Sequence, residues 1–343
     1  MTILSPVDAL DLVAGGVARV GTDGRNDPQV MVVELRRGEA LASLGRRIRQ
    51  LPCVLIGVAD DDDLRAPRGF DVLLSPVAEP PAPWVGSNDP LGEATELVAR
   101  VHASPQAATA LVELLRMSET MTITDAVIAE SFVYSMLQSG PAFRAWLAGR
   151  AHSAVPSCSE SPVMASRIGD HLEIQLHRPH VHNAFNSAMR DALIDVFAVA
   201  VADPSVRSVR LSGAGASFCS GGDLTEFGSA PDPVTAHGIR ITRSVGALVA
   251  SCAERVVVDV HGACIGAGIE IPAFAGRVTA APDAFFALPE LALGLIPGAG
   301  GTASIVRRIG RLRTTYLALR QCEIDAPWAL AWGLVDEIGA GRG

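Results

Sequence analysis

The sequence predicts an α/β protein in which helices cover a sheet. Three observations predict it. Hydrophobic residues make up 49% of the 343 positions and charged ones only 19%, enough to bury a large core. Strand-like runs alternate with stretches of helical period along most of the chain. Glycine-rich turns follow several of the strands, where α/β sheets place their ligands. A chain of this length has room for about two domains.

From the N-terminus, "QVMVVELRRG" predicts a strand, "EALASLGRRIRQLP" a helix ending at Pro52, and "CVLIGVADDDD" and "GFDVLLS" two more buried strands. A proline-rich connector, "PVAEPPAPWVGSNDP", leads into "LGEATELVARVHASPQAATALVELLRM" and "TITDAVIAESFVYSMLQSGPAFRAWLAGR". Both have apolar residues three and four apart and predict amphipathic helices, the second starting near Thr124 and Asp125. Residues 149 to 166, "GRAHSAVPSCSESPVMAS", are rich in Ser, Pro and Ala and predict a linker. Beyond it come a strand in "HLEIQLHRP", a helix in "NSAMRDALIDVFAVAVAD" and a strand in "VRSVRLSGAG". A helix in "VTAHGIRITRSVGALVASCA" and a strand in "RVVVDVHG" follow, then short elements between glycine-rich turns.

Several function classes are excluded. A net charge of −9 and a pI near 5.4 argue against a nucleic-acid or anionic-membrane surface. No apolar run approaches the ~18 residues of a membrane span. The start, "MTILSPVDALDLVAGG", has neither a basic region nor a continuous apolar stretch, so a cytoplasmic protein is expected. The six cysteines, Cys53, Cys158, Cys219, Cys252, Cys264 and Cys322, lie far apart and predict reduced thiols; neither they nor the eight histidines show metal-ligand spacing.

Three loops stand out, "FCSGGDL", "HGACIGAGIE" and "LPELALGLIPGAGGT". Each follows a predicted strand and carries glycine where a backbone N–H can approach a ligand closely. Two carboxylates, Glu270 and Glu290, lie in apolar or small surroundings twenty residues apart. Burial raises a carboxyl pKa and brings it within reach of proton transfer near neutral pH. Asp223, at a loop-to-helix junction, reads as a cap that contacts ligand at most.

With these motifs in this order, residues ~165 to ~338 resemble the crotonase superfamily of enoyl-CoA hydratases and isomerases. The resemblance rests on "RPHVHNAFN", "FCSGGDL", "VDVHGACIGAGIE", "PELALGLIPGAGGT" and "DAPWALAWGLVDEI". It implies a crotonase-like ββα spiral core with capping helices, and an oxyanion hole for the thioester carbonyl formed by the amides of Gly222 and Ala267. Such donors stabilise the negative charge of a developing enolate. Ala267 stands where relatives usually have the middle glycine of GGG. The family's hydratase acids match Glu270, which would activate water, and Glu290, which would deliver the α-proton. The resemblance further places substrate and coenzyme A contacts at Ala184, Ser220, Gly221, Asp223, Leu224, Gly266, Pro289 and Gly298. Arg178, Arg307 and Arg308 are candidates for the CoA phosphates, and His261 for a turn. No cofactor is implied beyond coenzyme A as part of the substrate, and no metal. A homotrimer or dimer of trimers is the family's habit.

In the family, helices follow "AWGLVDEI"; here the helices of residues 91–150 resemble that segment, placed before the core, and residues 1–90 resemble a degenerate crotonase half. The expected organisation is therefore an α/β segment (1–90), a capping helical region (91–150), a linker (151–164) and a catalytic core (165–343). Leu111, Leu114, Leu115, Val127, Ile128, Phe132, Phe143 and Trp146 are the expected apolar faces of the caps. The expected activity is hydration of a 2-enoyl-CoA. The alternatives are an isomerase or hydrolase of the same family, or a catalytically weak acyl-CoA-binding scaffold.

Overall fold

A computed structural model of the chain describes residues 3–5, 7–9, 11, 19–20, 26–35, 51–60, 67–150 and 161–339. Two compact units emerge: Met1–Thr120 with Ile309–Gln321, and Met121–Arg308 with Cys322–Gly343. Residues 39–50 of the expected helix and residues 151–160 of the expected linker lie outside the described residues.

In the first unit, apolar runs with almost no polar alternation form a five-stranded sheet in chain order: Ile3–Leu4, Val30–Leu35, Val54–Ala59, Val72–Ser75 and Val85–Gly86. All its pairings are parallel. Continuous Val, Ile and Leu runs are what a parallel sheet covered on both faces requires. Val33, Leu55, Phe70, Leu73 and Trp84 form its core, joined by Leu312. The helix expected at residues 91–117 is two, Pro90–Ala103 and Pro105–Ser118, because Pro105 lacks the N–H a continuing helix needs. Leu111, Leu114 and Leu115 are fully buried within this unit.

The second unit carries a six-stranded sheet in the order Glu337–Ile338, Arg277–Ala280, Val256–Val260, Ser208–Gly213, His171–Leu176 and Val163–Ile168. All pairs are parallel except the last, a hairpin turned by Gly169 at φ +64°. Its outer strand begins at Val163, inside the stretch expected as linker. A smaller sheet joins Ala263–Ile265, Phe285–Ala287 and Ile324–Asp325. The chain thus runs a strand in the large sheet, a bend, a strand in the small sheet and a helix, which is the expected ββα spiral. The bend between Val260 and Ala263 needs Gly262, at φ +52°, since a Cβ there would stand 2.2 Å from the Ala216 carbonyl oxygen.

The expected capping region divides between the units. Ile123–Gln138 and Pro141–Ala148 belong to the second unit, while Pro90–Ser118 belongs to the first. Of the expected apolar face, Val127 and Phe143 are buried but Phe132 is 59% exposed, its ring stacked on His237 at 4.2 Å. The long helix expected at residues 234–253 is likewise two, Pro233–Thr242 and Val245–Ser251, with Ser244 capping the second through the Ala247 amide. The helical run Gly301–Arg320 is broken at Gly310, φ 77° and ψ 162°.

Candidate active site

The loops of the second unit are tied together before any acid is placed. Asn183, fully buried, accepts from the Arg178 amide and donates to the Ala214 and Ser217 carbonyls. The Phe185 amide donates to Gly221 and the Asp223 amide to Phe185, which sets Gly222 between them. The Cys219 amide donates to Ala263 and the Ile265 amide to Cys219, joining the first glycine loop to the second. That approach is so close that a Cβ on Gly268 would lie 2.2 Å from the Cys219 oxygen. Gly222 and Ala267 consequently line one cavity of about 200 Å³ together with Glu270, Glu290 and Gly298. Among the described residues, neither the Gly222 nor the Ala267 amide donates to a main-chain acceptor.

The two predicted acids meet at Gly266. A Cβ built there would lie 2.5 Å from Glu290 Oε1 and 3.8 Å from Glu270 Oε1, so the two carboxyls are no farther apart than those distances combined. Gly266 is also at φ +50°, so glycine is required twice over. Glu270 is 2% exposed, and its Oε2 accepts from the Ala299 amide at 2.7 Å and the Gly301 amide at 2.8 Å. Glu290 sits one residue after Pro289 in a short turn; the residue is half-buried, yet its Oε2 is enclosed with no hydrogen-bond partner. Burial pushes the Glu290 carboxyl up to about 8. Burial, then repulsion from Glu290 and Glu130, holds Glu270 well above the ordinary carboxylate range against the pull of its two amides.

A third acid, Glu130, completes the cluster. It comes from Ile123–Gln138, is 2% exposed, and accepts from the Gly300 amide (2.7 Å), the Thr302 amide (2.9 Å) and the Thr302 hydroxyl (2.7 Å). Successive amides of the "GAGGT" loop therefore alternate, 299 and 301 to Glu270, 300 and 302 to Glu130. Burial raises Glu130 to about 7 despite these donors. Tyr134, one turn on, packs so that a Cβ on Gly298 would stand 2.3 Å from its ring, and it lines the cavity too. Val127, Glu130, Ser131 and Tyr134 all line the cavity, at spacings of three, four and seven. A charged residue on that otherwise buried stripe was the available signal for Glu130.

The other expected contacts are placed elsewhere. Ala184, Ser220, Gly221, Asp223, Leu224, Gly266 and Pro289 do not line the cavity. Asp223 is occupied as a cap: Oδ1 accepts from the Thr225 amide and hydroxyl, and Oδ2 from Arg178 at 3.0 Å. Arg178 is therefore a buried structural cation that also donates to the Ala184 carbonyl. Arg307 donates to the Ala303 and Met121 carbonyls, and Arg308 to Ala273, Ala275 and Asp336. His261 Nε2 is 2.9 Å from the Gly215 carbonyl oxygen, in keeping with a turn role. Cys53, Cys219, Cys252 and Cys264 are free thiols, no His, Cys, Asp and Glu cluster of metal-binding form occurs among the described residues, and none of their helices is long and apolar enough to cross a membrane.

Residues 170–341, half of the chain, match the family described as enoyl-CoA hydratase/isomerase. The chain belongs to this family. Its crotonase fold is the ββα spiral of the second unit. Curated relatives include a mevalonyl-coenzyme A hydratase of Beauveria bassiana, 33% identical over 49% of this chain and 62% of that protein. A 2,3-dehydroadipyl-CoA hydratase of Escherichia coli is 30% identical over 52% of this chain and 69% of that protein. A 1,2-epoxyphenylacetyl-CoA isomerase of Escherichia coli is 33% identical over 49% and 65%. The chain thus spans roughly two-thirds of the length of the relatives it matches.

Proposed function

We propose that the chain is a hydratase that adds water across the 2,3 double bond of an enoyl-CoA thioester. The observation that carries this reading is the convergence of Glu270 and Glu290 on Gly266, in a cavity that the Gly222 and Ala267 backbones also line. In this reading the thioester oxygen accepts from those two amides, which stabilise the enolate as it forms. Water lies between the two carboxyls. Glu270, held through Oε2, takes a water proton on Oε1 as the hydroxyl adds to C3; Glu290, kept protonated by its enclosed Oε2, delivers a proton to C2. The proton left on Glu270 passes to Glu290 or to solvent before the next turnover. Isomerase relatives work on similar thioesters, but two converging acids and a shared space for water favour hydration.

Crotonyl-CoA is the probe. Wild type removes its enone absorbance, and Glu290→Gln lowers kcat by roughly 100- to 10,000-fold. Absence of hydration by wild type with any enoyl-CoA, alongside retained affinity for the thioester, would leave an acyl-CoA-binding protein in its place.

A further inference from the structure

One wall of the cavity carries charge that hydration does not use. Three arginines line the cavity, Arg190, Arg240 and Arg243. Arg190 and Arg243 both reach Asp191, at 2.9 and 2.7 Å. Arg240 has no carboxylate partner among the described residues. Its Nε donates to the Ser131 hydroxyl at 3.1 Å, Nη1 to Gln138 Oε1 at 3.1 Å, and Nη2 to the Ser135 hydroxyl and the Ser131 carbonyl. Four of its five N–H groups are thus aimed at neutral acceptors, and the guanidinium lies over the Tyr134 ring, 4.6 Å from its centroid. A cation fixed in a cavity wall and bonded only to neutral groups is preorganised for an anion that arrives with the ligand.

Its position says which part of the ligand that is. Arg240 stacks on Tyr134, whose ring packs against Gly298, next to the Ala299 amide that holds Glu270. Arg240 therefore stands on the Tyr134 and Gly298 side of the cavity, whereas the residues expected to meet coenzyme A, Ala184, Ser220, Gly221 and Leu224, lie close to Gly222 or Phe185 in the chain and stay outside the cavity. An acyl chain that starts at the Gly222 and Ala267 amides and passes Glu270 and Glu290 ends against Tyr134 and Arg240. A space of about 200 Å³ suits a short chain.

We propose that the cavity selects short acyl-CoA thioesters whose acyl chain ends in a carboxylate, and that Arg240 is the anchor for that carboxylate. The direction of the acyl chain rests on the hydratase reading. A tail carboxylate entering this cavity finds in Arg240 a fixed cation with which it forms a charge-assisted pair. A saturated tail of equal length makes no such bond and leaves the guanidinium without an anion.

The test is calorimetric titration of the full-length chain at low salt with hexanoyl-CoA and adipoyl-CoA, saturated thioesters that differ in the terminal carboxylate and cannot be hydrated. Adipoyl-CoA should bind at least tenfold more tightly, and raising the salt should erode that ratio. Arg240→Gln should bring the ratio to within about twofold, and Arg240→Lys should keep part of it, since charge survives but the bonds to Ser131, Ser135 and Gln138 that aim it do not. A role confined to holding the two helices would change melting temperature in Arg240→Gln and leave the ratio intact. Equal binding of the two thioesters by wild type, or a ratio that survives Arg240→Gln, overturns the anchor regardless of turnover. A strong preference for adipoyl-CoA with no hydration of crotonyl-CoA or 2-hexenedioyl-CoA sinks the hydratase reading instead and leaves the carboxylate site standing. Where Arg240→Gln does not fold, the wild-type ratio and its salt dependence decide.

Discussion

In the first unit Asp71 is fully buried, and its two oxygens accept from Arg116 at 2.5 and 2.9 Å, from Arg311 at 2.9 Å and from the Leu55 amide at 2.9 Å. In the second unit Glu130 and Glu270 are as deeply buried, yet their donors are backbone amides and one hydroxyl, and Glu290 Oε2 has none. Both arrangements enclose acids, but only in the first do the acid's own oxygens accept from guanidiniums. An acid whose oxygens are taken up by two guanidiniums and an amide serves the fold. Acids enclosed among amides and one another are pushed upward, to about 7 and 8 for Glu130 and Glu290, where protons are exchanged at ordinary pH. The contrast also separates the units by purpose: the parallel sheet of the first has no counterpart of the acid cluster among its described residues.

The largest way to break this comparison is in the rate. Glu270→Gln can keep its carbonyl oxygen where Oε2 accepts from Ala299 and Gly301, so the loop holds while the proton acceptor is lost. Hydration of crotonyl-CoA should fall by roughly 100- to 10,000-fold with a nearly unchanged melting temperature. Equal loss of rate and stability would mean that Glu270 is structural like Asp71. Next, Asp71→Ala strands two buried arginines and should cost about 3–5 kcal/mol, read as faster amide exchange across Val54–Ala59. A change below about 1 kcal/mol there would show that the arginines find solvent without it. Glu130→Gln is intermediate. Both of its oxygens accept amide hydrogens, so an NH2 in place of either leaves a donor unpaired, at about 1–3 kcal/mol. That loss should appear as exchange at Gly300 and Thr302, and its absence would mean the loop does not depend on Glu130.

The last comparison concerns pH. Glu130 and Glu290 have folded carboxyls at about 7 and 8 against an ordinary value of 4.5, so the folded second unit holds protons the unfolded chain releases. Their contribution to stability is complete below about pH 4.5 and is lost as pH rises through about 7 to 8. Thermal melts followed at helical wavelengths should show this decline, and Glu290→Gln should make it shallower. An identical slope in the variant would mean that Glu290 ionises without penalty in the fold.

What the chain's letters revealed follows the local physics. Glu270 and Glu290 were legible because each is an acid in apolar company beside a glycine turn, where neither helix nor surface explains it. Gly222 and Ala267 were legible through their motifs, and the structure brings all four to one cavity. The central strands, Val30–Leu35, Val54–Ala59 and Val72–Ser75 in the first unit and His171–Leu176, Ser208–Gly213 and Val256–Val260 in the second, were legible as continuous or alternating apolar runs, whereas Val163–Ile168 was hidden in the stretch that reads as linker. Helix breaks were missed where a single Pro105 or Ser244 interrupts an unbroken amphipathic period, since the period persists across the break. Glu130 was missed because a glutamate in an amphipathic helix ordinarily faces water, and only its register with Val127 and Tyr134 marks it as inward. Asp71 was missed because its partners Arg116 and Arg311 are far away in sequence.

One consequence of the helix Ile123–Gln138 is practical. A gene fragment cut at residue 170, where the family match begins, would encode every acid and amide that the motifs announce, and it would lack Glu130, Ser131 and Tyr134. The Gly300 and Thr302 amides would then point into an empty notch, and the wall facing Arg240 would be gone. Such a fragment would carry the signature of the family without its interior.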